Sequence, residues 1–183
     1  FLFQAFYIPS SSMEDTLAIN DRVLVNKLAY QIGDMAAGDV IVFDDPRGGF
    51  EQPEETVVDS ALRNVLESIG LAAPRSEFIK RIIGLPGDTV TIADGTVSVN
   101  GQALVEDSYV KPGSTTEPAS REIQGCDNEP SVSRCVVPEG HLFVMGDNRN
   151  SSQDSRVFGP SPVDDVVGKA FVIIWPPGRW SGL

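Results

Sequence analysis

The chain has 183 residues, a hydrophobic content of 41% and a formal net charge of -12 at pH 7. This length and hydrophobicity suit one domain, or a core with a smaller appendage, and exclude a chain that is disordered throughout. The negative charge argues against nucleic acid as a partner, which needs a basic surface, and one His without a Cys/His cluster argues against a zinc site.

Short apolar runs separated by turn residues predict a mainly β fold. In chain order, the predicted strands occupy 1–9, which ends at Pro9, the start of 21–30, 38–43 and 167–175. Asp94-Gly95, between two alternating apolar runs, is the strongest hairpin signal in the chain. The chain opens on an apolar run without Met, as if cut after a removed segment, and no run reaches the roughly 18 apolar residues of a membrane span.

Two segments interrupt the β pattern. Residues 44–78 contain an apolar stripe at helical spacing, which predicts an amphipathic helix at about 56–70. The stripe either packs on the sheet or contacts a membrane surface, and the acidic character of the segment favours the sheet. Residues 111–135 are polar and predict a long exposed loop. Cys126 and Cys135 lie in that loop, and from the residues alone they are either two free thiols or a disulfide.

A serine nucleophile needs a base, and the sequence offers two kinds. His141, the one His, starts a strand after a Gly, where a solvent-facing residue is expected. Lys80 shares a strand face with Phe78 and Ile82, and burial on that apolar face would lower the pKa of its amine. Taken without its context, such a lysine is more often a charge on an edge strand.

Four sequence boxes carry a resemblance to a known family. They are Ile8-Pro9-Ser10-Ser11-Ser12-Met13-Glu14-Asp15-Thr16-Leu17, Gly38 to Phe43, Lys80-Arg81-Ile82-Ile83-Gly84-Leu85-Pro86-Gly87-Asp88, and Met145-Gly146-Asp147-Asn148-Arg149-Asn150-Ser151-Ser152-Gln153-Asp154-Ser155-Arg156. In this order they resemble the boxes of type I signal peptidases, serine proteases that use a Ser/Lys dyad. One departure is Asp15, which stands where that family often has Pro.

The resemblance implies a role for each matched residue. Ser12 is the expected nucleophile and Lys80 the expected general base. Ser10 and the Ser12 backbone N–H would form the oxyanion hole, and Ser152 would hydrogen-bond Lys80 and orient it. Gly146 would leave room beside Lys80, and the supporting ion pairs would be Arg81 with Asp147 and Asp154 with Arg156. Substrate contacts are expected from Ile8, Pro9, Met13, Phe78 and Ile79.

The resemblance also implies the architecture and the partners. We expect a curved antiparallel catalytic sheet from 1–88 and 140–183, with the 44–78 insert inside it and a smaller β cap inserted at 89–139. The substrates would be signal peptides of secretory preproteins, cut after Ala-x-Ala-like ends, without a cofactor. A membrane anchor preceding residue 1 would place the site on the extracytoplasmic side, where Cys126 and Cys135 would be bridged.

Two other classes of protein stay open. One is a different Ser/Lys protease, such as a self-cleaving repressor, which would need a DNA-binding domain and an internal cleavage site. The other is a non-catalytic β module that only binds peptides. The two classes predict different outcomes for Ser12→Ala, which a binding module would tolerate.

Overall fold

Most of the described chain is β structure, because its apolar side chains alternate with polar ones along short runs. The computed structural model describes residues 2–46, 77–119, 123, 126–129 and 131–183. Its strands are β1 (Phe3–Tyr7), β2 (Arg22–Asn26), β3 (Val40–Asp44), β4 (Glu77–Gly84), β5 (Thr89–Ala93), β6 (Thr96–Val99), β7 (Gln102–Ala103), β8 (Cys126–Glu129), β9 (Val132–Val136), β10 (His141–Met145), β11 (Ser161–Pro162), β12 (Val166–Trp175) and β13 (Ser181–Gly182). Two single-turn helices, α1 (Ala29–Ile32) and α2 (Ser155–Phe158), and three short 3-10 turns connect them.

The larger sheet has the strand order β1-β2-β12-β3-β4-β10-β11, with β13 paired on β12. Every neighbouring pair in it is antiparallel. Three strands separate β1 from β4, yet Ile8, just past β1, and Ile79 on β4 belong to one buried cluster. The sheet is therefore strongly curled, and the curl brings the segment after β1 across to β4.

The smaller sheet has the order β7-β6-β5-β9-β8 and uses only residues between 89 and 136. The predicted hairpin forms its centre: Ala93 pairs with Thr96, and Asp94 and Gly95 both have positive φ values, 48° and 76°. Such a two-residue turn matches the twist of the strands that it joins. A buried cluster with Ile83, Phe143 and Met145 on one side and Val90 on the other joins the two sheets.

The structure confirms the mainly β, curled antiparallel architecture and corrects two details of the sequence prediction. The segment at 111–135 is not loop throughout, because β8 and all but the last residue of β9 lie within it and β9 pairs with β5. The inward residues Ser133 and Cys135 gave no apolar alternation to reveal that strand. The strand ending at Trp175 is not the last, since β13 follows it. The helix predicted at about 56–70 lies outside the described residues.

Candidate active site

Ser12 and Lys80 meet in the curl of the larger sheet, although 68 residues separate them in the chain. The Lys80 Nζ atom lies 2.7 Å from the Ser12 Oγ atom. Both residues are buried, with 6% and 2% of their surface exposed. An amine at this distance, when neutral, can accept the proton that a serine must lose to become a nucleophile.

The chain positions Ser12 by continuing β1 and then turning tightly. The Ile8 N–H donates to Asp21 O at 2.9 Å, and the Asn20 N–H donates to Ile8 O at 2.9 Å, so the β1–β2 pairing extends past the end of the strand. Leu17 N–H then donates to Met13 O at 2.7 Å and closes one helical turn. Met13 and Leu17 are fully buried and anchor that turn in the core, which fixes Ser12 immediately before it.

Lys80 is held in an environment that disfavours its charged form. It lies on β4 with its Nζ atom 5.4 Å from the centre of the Phe78 ring, and Nζ also donates to Ile79 O at 2.8 Å. Burial removes water from the ammonium group and lowers the pKa of Lys80 to about 8, against the opposing effect of the Asp154 and Asp147 carboxylates. A pKa near 8 instead of 10.5 raises the neutral fraction at pH 7 by about 300-fold.

Two buried ion pairs offset the carboxylates beside Lys80. Arg81 makes a two-point pair with Asp147, with Nε–Oδ1 at 2.9 Å and Nη2–Oδ2 at 2.7 Å. Arg156 makes the same kind of pair with Asp154, at 2.9 and 2.8 Å. Both carboxylates are fully buried. Because each has its own cation, neither acts on Lys80 as an unpaired charge, and burial dominates its pKa.

Ser152 lies beside the site but does not make the hydrogen bond that the resemblance implied. Its Oγ atom is buried and has no hydrogen-bond partner within the described chain, whereas Lys80 Nζ bonds Ser12 and the Ile79 carbonyl. The space left by Gly146 is filled by Ser152 and Ser12: a Cβ at Gly146 would lie 2.3 Å from Ser152 Oγ and 2.4 Å from Ser12 O. Gly146 therefore makes room for Ser152 and for the Ser12 carbonyl.

The geometry around the Ser12 hydroxyl leaves donors available. The Ser10 Oγ atom is 3.4 Å from Ser12 Oγ, and Ser10 is exposed. Within the residues that the structure describes, the Ser12 N–H donates to no other group. A backbone N–H and a nearby hydroxyl are the kinds of donor that can stabilise an oxyanion.

The residues expected to contact substrate fall into different environments. Ile8, Met13 and Ile79 pack together in one buried cluster next to Ser12. Phe78 packs instead with the cluster on the other side, where its ring stacks on Phe158 at 6.0 Å. Pro9 is exposed. Period-2 alternation on β4 accounts for the separation of Phe78 from Ile79.

Two further residues at the site were not singled out in the sequence. The Thr16 hydroxyl donates to Asp147 Oδ2 at 2.6 Å, and the Asn148 N–H donates to Ser12 O at 3.0 Å, with its side-chain amide on Ser11 O. These contacts tie the Ser12 turn to the loop that carries Asp147. Both residues stand within the quoted boxes, so their place there was the available signal.

The remaining sequence candidates lie away from the Ser12–Lys80 pair. Cys126 and Cys135 form a disulfide across β8 and β9 in the smaller sheet. His141 starts β10, and its Nδ1 atom is 2.9 Å from the Glu139 carbonyl oxygen. Among the described side chains, no three His, Cys, Asp or Glu residues converge as a metal site.

Comparisons with known proteins show which family the sequence matches. The family model described as "Signal peptidase, peptidase S26" matches residues 1–175. The chain is 36% identical over 179 residues to a probable signal peptidase I-2 of Synechocystis, which covers 98% of this chain and 66% of that protein. It is 36% identical over 204 residues to signal peptidase I of Mycobacterium tuberculosis, with 99% and 68% covered. The chain thus spans about two thirds of the length of these relatives.

A similar solved structure is the crystal structure of a signal peptidase I from Enterococcus faecalis V583. It has 27% sequence identity to this chain and a TM-score of 0.46, and the match covers 75% of this chain and 97% of the other.

Proposed function

The chain belongs to the signal peptidase family, peptidase S26, and on that premise we propose that it is the catalytic part of a type I signal peptidase that works by a Ser12/Lys80 dyad. The observation that carries this proposal is the 2.7 Å contact between Ser12 Oγ and a buried Lys80 whose pKa is lowered to about 8. A serine next to an amine that is partly neutral near neutral pH has both groups that acyl transfer requires.

In the proposed reaction, neutral Lys80 takes the Ser12 hydroxyl proton as Ser12 Oγ attacks the scissile carbonyl. The Ser12 N–H and the Ser10 hydroxyl stabilise the resulting oxyanion. Collapse of the intermediate breaks the peptide C–N bond, and the Lys80 ammonium returns its proton to the departing amine. Neutral Lys80 then takes a proton from water, whose oxygen attacks the acyl-enzyme ester. As the ester C–O bond breaks, the Lys80 ammonium returns that proton to Ser12 Oγ, and the signal peptide leaves with a new carboxyl group that ionises in water.

The proposed substrate is the end of a signal peptide with small residues at the cleavage site. Within the described strands, β1 has β2 as its only partner, and β10 pairs with β4 only from Arg81 onward, so the 77–80 edge opposite β3 carries no described strand. An extended peptide could therefore add a strand beside 77–80 by backbone hydrogen bonds. The packed wall of Ile8, Met13 and Ile79 would leave space only for small side chains such as Ala.

We place the proposed enzyme at a membrane, on its extracytoplasmic side. Exposed apolar side chains on or next to β1, β12 and β13 of the larger sheet include Leu2, Phe3, Trp175, Trp180 and Leu183. Apolar surface of this kind, with two tryptophans, suits contact with a lipid interface. The Cys126–Cys135 disulfide supports an oxidising compartment. Among the described residues no helix is long and apolar enough to cross a membrane.

We further propose the domain division 1–88 and 140–183 for the catalytic core and 89–139 for an inserted cap. Strands of the larger sheet come from both core segments and those of the smaller sheet from the cap segment alone, which supports the division.

The decisive experiment is incubation with a peptide that spans an Ala-x-Ala cleavage site, followed by mass analysis of the products. The parent chain should cut after the last Ala, and Ser12→Ala and Lys80→Ala should each lose at least about 1000-fold in kcat/KM while their circular dichroism spectra match the parent. A Lys80→Ala chain within tenfold of the parent would contradict the dyad. A parent chain that binds the peptide without cutting it, and a Ser12→Ala chain that binds it equally well, would indicate a peptide-binding module.

A further inference from the structure

A segment of the inserted region lies across the candidate active site. Residues 104–117 follow β7 and run from the smaller sheet to the loop at 146–152, and we name this segment the strap. The strap contacts the Ser12 turn, strand β4 and the 146–152 loop, which carry the nucleophile, the base and Ser152 respectively. None of its residues belongs to the four sequence boxes.

The strongest of these contacts is an ion pair between Glu106 and Arg149. Arg149 Nη2 lies 2.5 Å from Glu106 Oε1, and Nη1 lies 3.0 Å from Oε2. The Arg149 side chain is 1% exposed and the Glu106 side chain 15% exposed, so Arg149 depends on Glu106 for its counter-charge. Removing one partner of such a pair leaves a charge buried without compensation, which forces the cation to move or to admit water.

Arg149 passes this restraint to the backbone beside the nucleophile. Its Nε atom donates to Gly146 O at 3.0 Å, and its carbonyl accepts from Arg156 Nη2 at 2.8 Å. Gly146 is the residue whose missing side chain lets Ser152 and the Ser12 carbonyl approach. A shift of Arg149 therefore moves the peptide that abuts both serines.

Two more contacts fix the strap at its other points. The Tyr109 hydroxyl donates to Glu106 Oε1 at 2.9 Å, and its ring centre lies 4.4 Å from Arg81 Cζ. The Lys111 N–H donates to Asp147 O at 3.1 Å, and Lys111 Nζ pairs with Glu14 Oε2 at 2.8 Å. The three partners outside the strap, Arg81, Asp147 and Glu14, each lie within two residues of Lys80, Gly146 or Ser12 along the chain.

We propose that Glu106 is a positioning residue for the Ser12/Lys80 pair. Glu106 acts through Arg149, and Arg149 holds the 146–152 loop closed against the nucleophile and the base. The inference rests on the proposed function. Glu106 reaches neither Ser12 nor Lys80 directly, so its effect is on the geometry and dryness of the pair. Without the ion pair the loop loosens, water enters beside Lys80, and the chemical step slows while substrate binding is preserved.

The test compares Glu106→Gln with Asp107→Asn, a matched change of the exposed neighbour, for which no contact with the 146–152 loop is described. For each variant, kcat and KM for the signal-peptide substrate are measured from pH 6 to 11. Glu106→Gln should lower kcat by about 10- to 100-fold with KM changed less than about threefold. In Glu106→Gln the rise of kcat/KM with pH should move to higher pH, because water beside Lys80 stabilises the ammonium form of its amine.

Several outcomes would overturn the proposal. One is a Glu106→Gln profile that coincides with the profiles of Asp107→Asn and the parent. Another is a shift of the Glu106→Gln profile to lower pH. An unpaired Arg149 charge that acted on Lys80 through space, without loop movement, would lower the pKa of Lys80 and so produce that shift. A loss confined to KM would assign Glu106 to substrate binding. A parent that cuts no signal peptide would overturn the proposed function together with this inference.

Two further variants guard against a folding defect. Tyr109→Phe removes one hydrogen bond from Glu106 and keeps the ring over Arg81, so it should fold and lose about two- to fivefold in kcat at unchanged KM. An unchanged kcat in this variant would contradict the proposal. In Glu106→Gln/Arg149→Gln the effects should be less than multiplicative, because both changes break one restraint. Effects that multiply would show that the two residues act independently.

Discussion

The lack of a side chain at Gly146 allows Ser152 and the Ser12 carbonyl to approach the same piece of backbone. In Gly146→Ala the new Cβ would lie 2.4 Å from Ser12 O and 2.3 Å from Ser152 Oγ. These distances are about 1 Å short of ordinary non-bonded contact. Rotating the Ser152 hydroxyl would still leave the Ser152 Cβ atom at 2.6 Å, and Ser12 O is backbone held by the Asn148 N–H at 3.0 Å. The turn that carries the nucleophile, the backbone at Ser152 or both must therefore move.

The size of the effect follows from that displacement. Moving Ser12 by about 1 Å would lengthen its 2.7 Å contact with Lys80 beyond hydrogen-bond range. A misplacement of this size costs about 100-fold in kcat, or about 2.7 kcal/mol of activation free energy. Overpacking of the buried site should also lower the free energy of unfolding by about 1–3 kcal/mol.

Substitutions at two other glycines are controls that distinguish loss of active-site geometry from loss of stability. At Gly84 a new Cβ would meet Val90 Cγ2 at 2.6 Å, in the core between the sheets, so Gly84→Ala should destabilise the fold and keep most of kcat. At Gly178 no atom lies within 4 Å of the new Cβ, so Gly178→Ala should leave both quantities unchanged. The assay is signal-peptide cleavage at saturating substrate together with urea unfolding.

A Gly146→Ala chain that keeps kcat within about threefold of the parent would refute this reasoning, since the turn would then absorb the added atom without moving Ser12. Equal losses of kcat in Gly146→Ala and Gly84→Ala would refute it too, by attributing the effect to stability.

The other predictions concern single contacts. Thr16→Val removes the 2.6 Å hydrogen bond to the buried Asp147 carboxylate, so the free energy of unfolding should fall by about 1.5–3 kcal/mol in urea, and a change below about 0.5 kcal/mol would contradict the contact. Cys126→Ser/Cys135→Ser opens a loop of sequence separation 9 and should cost about 2–3 kcal/mol of stability while kcat stays within about threefold, because the dyad lies in the other sheet. Mass analysis of unreduced peptides that finds two free thiols in the parent would contradict the bridge.

The sequence predicts the β architecture because its signals are local. Asp94-Gly95 specifies a tight turn by its backbone preferences, and the alternation on either side specifies the hairpin that the structure forms. The resemblance of the boxes identifies Ser12 and Lys80 as candidates, and the curl of the sheet places Lys80 Nζ 2.7 Å from Ser12 Oγ. Neither residue alone carries that information, because 68 positions separate them.

What the sequence does not predict depends on contacts between distant residues. Glu106 and Arg149 are 43 positions apart, and nothing in the sequence around Glu106 distinguishes it from an exposed acid such as Asp107. The strand β9 was missed because its buried positions hold Ser133 and Cys135 rather than aliphatic residues. The hydrogen bond expected from Ser152 is absent among the described contacts, since Lys80 Nζ bonds Ser12 and a carbonyl of its own strand instead.

The central claim is that Lys80 is the base, and the pH dependence of kcat/KM for signal-peptide cleavage tests it most directly. Burial lowers the pKa of Lys80 to about 8, and the neutral amine is the active form, so activity should rise with pH through an apparent pKa near 8. His141→Ala should keep that limb, because His141 lies at the start of β10 and contacts the Glu139 carbonyl. A limb near 6.5, the ordinary pKa of a histidine, that disappears in His141→Ala would transfer the role of base to His141 and contradict the Ser12/Lys80 assignment.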